Sequence, residues 1–102
     1  MKRAVGLIIA GSILAVAASG YAIAGDSEAG KAKAVTCTAC HGANGISPTE
    51  LYPNLAGQKK GYLVKQIKAF KDGSRKDPTM NAMVAALSDQ DIEDISAFYS
   101  KL

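Results

Sequence analysis

Hydrophobic and polar positions along this chain fall into segments with different rhythms. Lys2 and Arg3 are followed by 22 uncharged positions, 4 to 25, in which "AVGLIIAGSILAVAAS" is interrupted by Gly6, Gly11 and Ser12. A short positive start, an apolar run and the small-residue pattern "AIA" at 22 to 24 are the marks of a secretory signal. The expected division is therefore a leader over 1–24, removed after Ala24, and one working domain over 25–102. The competing reading is an uncleaved anchor, because an uncharged stretch of that length also spans a bilayer. Either reading sends the remainder out of the cytoplasm.

Beyond the leader the rhythm becomes helical. "DSEAGKAKAVT" predicts a short helix with Asp26 or Ser27 as N-cap and Glu28 in its first turn, running directly into the cysteines. "KKGYLVKQIKAFKDG" places Leu63, Ile67 and Phe70 on one face, with Lys65 and Lys68 projecting elsewhere and Gly73 at its end. The last segment opens with Ser88 and Asp91 in the spacing of a capping box, flanked by Leu87 and Ile92 as a staple. Its predicted buried stripe is Ile92, Ile95, Phe98 or Tyr99, and Leu102. Residues 42–58, rich in Gly, Asn and Pro, predict an irregular loop with a turn at Asn44-Gly45, and 74–86 a loop leading into a short helical turn. No segment alternates as a strand does, so the expected fold class is all-α.

Charge changes the picture little. Without residues 1–24 the chain keeps ten basic and nine acidic residues, so the formal net charge falls from +3 to +1 and no cationic tail remains for nucleic acid. Size changes it more. The 78 remaining residues make a thin core, and domains this small usually need a disulfide, a metal or a large buried ligand. A long irregular loop without a scaffold of its own is also uncommon, and is easier to understand wrapped around something.

The candidate chemistry sits in "TCTACHG", which holds the chain's two cysteines and its single histidine at Cys37, Cys40 and His41. A thiol–disulfide motif needs a βαβ context that is missing. A structural zinc site needs a second, separated ligand pair, also missing. Covalent haem attachment requires these residue types at this spacing: two thiols add across two vinyl groups, and the adjacent imidazole takes the iron. A c-type haem would also supply the missing core. With no second histidine, the other face of the iron falls to methionine, Met80 or Met83, of which at least one is expected only to pack.

The stretches "AGKAKAVTCTACHG", "YPNLAGQ", "YLVKQIKAFKDGSR" and "MNAMVAALSDQDIEDISAFYS" resemble, in that order, the class I c-type cytochromes, and most closely the small bacterial ones similar to one half of the periplasmic dihaem cytochromes. The resemblance implies the cytochrome c fold, in which N- and C-terminal helices cross around one covalently attached haem c with one edge exposed. It implies Cys37 and Cys40 as thioether positions, His41 as proximal ligand, Pro53 as the residue whose carbonyl accepts the histidine N–H, and Met80 as distal ligand. Met83 departs from the pattern as the less favoured substitute for Met80. The implied function is a monohaem one-electron carrier between periplasmic redox proteins, not an enzyme, with both axial positions of the iron filled. The alternative is a haem-based ligand sensor or peroxidase-like protein whose distal methionine leaves readily. Partners are expected to be redox proteins. Acidic docking surfaces would suit the seven basic side chains of 59–76, and a membrane enters only through an uncleaved leader or membrane-bound partners.

Overall fold

The computed structural model describes residues 22–102. The expected leader at 1–24 lies outside them apart from its last three positions. Five helices follow: α1 (Ser27–Lys33), α2 (Val35–His41), α3 (Lys60–Asp72), α4 (Pro78–Val84) and α5 (Asp89–Ser100), with no strand among the described residues.

α1 begins where the Asp26 carboxylate accepts the amides of Glu28 and Ala29 at 2.9 and 3.2 Å, pairing donors that a helix start leaves free. The sequence pattern predicts one helix running into the cysteines, but the chain leaves helical geometry at Ala34 (φ −82°, ψ 3°) and resumes as α2. Ala34 has no exposed surface and packs with Leu63, Ile95 and Tyr99. The break thus falls where the chain is pinned to the core.

α1 packs chiefly on α5. Gly30 makes that approach possible: a Cβ built there would lie 1.9 Å from the Asp94 carbonyl oxygen and 2.9 Å from Phe98 Cβ. Beside it a polar clamp locks the two helices. The buried Asp94 carboxylate accepts Lys33 Nζ at 2.7 Å, the Asp26 N–H at 2.9 Å and Gln90 Nε2 at 2.9 Å, and Lys33 Nζ also lies 2.9 Å from Asp91. A buried charge is tolerated only when it is paired and hydrogen-bonded in this way. Lys33 is the main reason the Asp94 carboxyl is held down at about 2, against the opposing effect of burial.

α3 ends at Gly73, which takes the left-handed conformation (φ 84°) expected of a terminating glycine. Its inward face carries buried Leu63 and half-buried Ile67 and Phe70. α5 opens with the full capping box: Ser88 Oγ accepts the Asp91 N–H at 3.0 Å, and Asp91 Oδ2 accepts the Ser88 N–H at 3.0 Å. Ile92, Ile95 and Tyr99 are buried and Phe98 is half-buried. Leu102 does not extend this stripe, because the helix stops at Ser100 and leaves it 48% exposed.

The loop after α2 closes on itself. Gly42 and Gly45 form the turn expected around Asn44, and the Gly45 carbonyl then accepts the amides of Leu55 and Ala56 at 2.8 and 3.0 Å. The Gly57 N–H donates to the Tyr99 carbonyl at 2.9 Å, tying the loop's exit to the end of α5. Two outcomes test this assembly. Gly30→Ala should cost about 1–3 kcal/mol in denaturant unfolding, since the added methyl must push α1 off α5. Asp94, whose carboxyl is depressed in the folded state, stabilises fully above about pH 4 and loses that contribution as pH falls toward 2. Asp94→Asn should therefore melt lower than the parent at pH 7, with the gap narrowing between about pH 4 and pH 2 in thermal scans.

Candidate functional site

The helices enclose a cavity of about 380 Å³, within the usual ~300–1,000 Å³ of small-molecule and cofactor sites. Its apolar lining includes Leu55, Leu63, Ile67, Phe70, Val84 and Ile95. Cys37, Cys40, His41, Pro53, Met80 and Met83, separated by up to 46 positions in the chain, all reach its walls.

α2 supplies one wall. Cys37 and Cys40 stand three residues apart, which puts them on neighbouring positions of one helical face. Both are half-buried and free of any disulfide. Burial pushes the Cys37 thiol up, with a smaller opposing effect of Thr36. A raised thiol is the reverse of what disulfide exchange uses, where a lowered one supplies the attacking thiolate. Zinc gains no support either, since among the described residues no three His, Cys, Asp or Glu side chains gather to hold an ion.

His41 closes α2 and is 7% exposed. Its Nδ1 lies 2.8 Å from the Pro53 carbonyl oxygen, which can only accept. Nδ1 therefore carries a proton, so that in the neutral ring Nε2 is the nitrogen with a lone pair for another partner. The Tyr52 ring meets the imidazole at 61°, with centroids 6.5 Å apart.

α4 brings the methionines. Asp77 caps this helix by accepting the Met80 N–H at 3.0 Å, and Pro78 opens it, a favourable start because proline lacks a donor that would go unpaired. The segment is thus a two-turn helix, longer than the single turn read from the sequence. Met80 is half-buried in its first turn, whereas Met83, one turn on, is 45% exposed.

Two further lining groups have no signature in the sequence. Ser96 Oγ and the Tyr99 hydroxyl are buried and have no hydrogen-bond partner within the protein. Burial, with a smaller contribution from Cys37, pushes the Tyr99 hydroxyl up to about 12. Orphaned polar atoms are rare in native interiors, and on a cavity wall they suit a bound group that fills the space beside them. Arg75 also lines the cavity, its guanidinium 4.5 Å from the Phe70 ring centroid and donating to Gln66 Oε1 at 2.8 Å. It offers a cation to a ligand bearing acidic side chains.

The basic segment of 59–76 does not form one free patch. Lys60 pairs with Glu93 and Lys71 donates to the Leu87 carbonyl. Lys65 and Lys68 fall on the side of α3 opposite Leu63, Ile67 and Phe70.

Free paired thiols, an imidazole with a fixed tautomer and thioether sulfurs around one apolar cavity form a donor set that fits a covalently held haem, and an all-helical shell around it is the architecture of a c-type haem protein. The chain belongs to the cytochrome c family, whose "Cytochrome c" sequence model matches residues 27–102. It is 51% identical over 77 residues to cytochrome c4 of Pseudomonas aeruginosa, covering 76% of this chain and 38% of that one. It is 50% identical over 80 residues to cytochrome c-554(548) of Halomonas halodenitrificans, covering 76% of this chain and 96% of that protein. The solved structure of reduced cytochrome c4 from Pseudomonas stutzeri superposes with a TM-score of 0.72 at 48% identity, covering 76% of this chain and 45% of that one. The chain thus spans less than half the length of these cytochrome c4 proteins and nearly all of the Halomonas protein. It has the cytochrome c fold, and membership of that family indicates covalently bound haem c.

Proposed function

We propose that Cys37 and Cys40 hold a single haem through thioether bonds, that His41 Nε2 and the Met80 sulfur take the two axial positions of its iron, and that the protein passes single electrons between redox proteins in the periplasm. The observation that carries this reading is the 2.8 Å contact of His41 Nδ1 with the Pro53 carbonyl, on the same wall as two free thiols and with half-buried Met80 lining the same cavity. Haem in such a site supplies a one-electron couple, and a thioether ligand favours its reduced form and raises the potential.

The chain's own residues do the remainder. The Pro53 carbonyl fixes the His41 ring and makes Nε2 a stronger donor. Asp77 holds the backbone of Met80 in the first turn of α4. Apolar side chains from α3 and α5, Leu63, Ile67, Phe70 and Ile95, line the cavity and would pack against the faces of a bound haem. Were His41 and Met80 both to bind the iron, they would leave it no open position for a substrate, which would suit a carrier. Met80 is preferred to Met83 because it is the more buried of the two.

Export rests on Lys2, Arg3, the uncharged run and the "AIA" pattern at 22–24, which lead this reading to the periplasm. Among the described residues no helix is long and apolar enough to cross a membrane. The partners in this reading are redox proteins with acidic surfaces, steered at a distance by the exposed cations of 59–76 and then meeting the chain through a small, transient interface.

The protein matured in a cytochrome-competent host should keep its pigment through acidified acetone, whereas Cys37→Ser combined with Cys40→Ser should release it or never acquire it. Reduced Met80→Ala should bind carbon monoxide at least about tenfold more tightly than the parent, because its open state no longer competes with a closed one. Met83→Leu should resist carbon monoxide as the parent does. Prompt binding by the parent would favour the ligand-sensing alternative.

A further inference from the structure

The geometry points to Asn81 as a positioning residue that keeps Met80 on the iron, an assignment that rests on the ligation proposed above. One half-buried carboxamide makes three hydrogen bonds to three different stretches of backbone. Nδ2 donates to the Phe70 carbonyl at 2.7 Å and to the Arg75 carbonyl at 2.9 Å, while Oδ1 accepts the Asp77 N–H at 2.9 Å. This uses both donors of the amide and an acceptor lone pair.

Each contact has a reason to matter. The Phe70 carbonyl belongs to the last turn of α3, where carbonyls have no partner within the helix. The Arg75 carbonyl lies in the loop between α3 and α4. Asp77 is the cap of α4, so holding its amide also aims its carboxylate at the Met80 N–H. The ring is closed by the Asn81 N–H, which donates to the Asp77 carbonyl at 2.8 Å. α3, the loop, the cap and the methionine turn are therefore fastened through a single side chain.

α4 needs that fastening. It has seven residues, and isolated helices shorter than about 12 residues are marginal in water. Val84 is its only buried residue and sits at the far end. Without Asn81, the first turn keeps its own cap but loses the bonds that fix the cap to α3. The methionine turn then leaves the iron more often, with the α1–α5 clamp untouched.

The test compares the haem-loaded parent with Asn81→Ala, Asn81→Asp and Gly30→Ala. Asn81→Asp keeps an acceptor for the Asp77 N–H but has no donor for the two carbonyls, and it serves should Asn81→Ala mature poorly. Imidazole is titrated into the oxidised proteins, the methionine–iron charge-transfer band and the reduction potential are recorded, and thermal unfolding is followed in parallel. Both Asn81 variants should bind imidazole about tenfold or more tightly than the parent, because apparent affinity rises with the population of the open state. They should also weaken the band and lower the potential. Gly30→Ala should lose thermal stability yet keep the parent's imidazole affinity within about twofold, since α4 is intact. Unchanged imidazole binding in both Asn81 variants, or an equal shift in Gly30→Ala, would overturn the assignment while leaving the ligation standing. A parent without the band, binding imidazole as freely as Met80→Ala, would instead overturn the ligation itself and this assignment with it.

Discussion

The described chain encloses a space that its own side chains do not fill, and this constraint orders the rest of the structure. Ala34, Leu63, Ile95 and Tyr99 form the buried cluster, and three of them, Leu63, Ile95 and Tyr99, also face the cavity. In most domains such residues would close on one another and release water from all sides. Here one side of each is left to a group that is not an amino acid. Haem c meets that need, and covalent attachment suits a shell this thin, because contacts alone would hold the group by few apolar neighbours.

The most extensive helix packing lies at one crossing. α1 and α5 meet across Gly30 with almost no space between backbones, and Asp94 is charged there at the cost of its hydration. Lys33, Asp26 and Gln90 offset that cost together. Asp94 is the buried member, so removing Lys33 would leave its carboxylate without a counter-ion, the costly way to break such a network. It lies on elements that do not carry the methionines, so the helix crossing and the methionine turn are separately fastened.

Much of this was legible from the sequence, and what was not has physical causes. α3 and α5 announce themselves because their apolar period, terminating glycine and capping box are local features. The division of α1 from α2 is not local: it falls at Ala34, pinned against Leu63, Ile95 and Tyr99 from far along the chain. α4 reads from the sequence as only a short turn after a loop because its start signal, Asp77 before Pro78, is brief and its apolar face is small. Leu102 fits the period of α5 but lies past its end. At the site, Cys37, Cys40 and His41 are readable because their chemistry is compressed into five positions. Pro53 is legible only through family resemblance, since a backbone carbonyl contact leaves no mark in residue type. Ser96 and Tyr99 stand out only once their lack of partners is seen, and Asn81 once its three bonds are.

The loop from Gly45 to Ala56 is closed at its neck by the Gly45 carbonyl, and Pro53 stands just inside that neck. Its outer residues, Pro48, Thr49, Glu50 and Leu51, are exposed. The neck thus holds the Pro53 carbonyl at the His41 ring independently of Pro48, Thr49 and Glu50, so the outer face of the loop can present different side chains to a docking partner while that hydrogen bond stays in place.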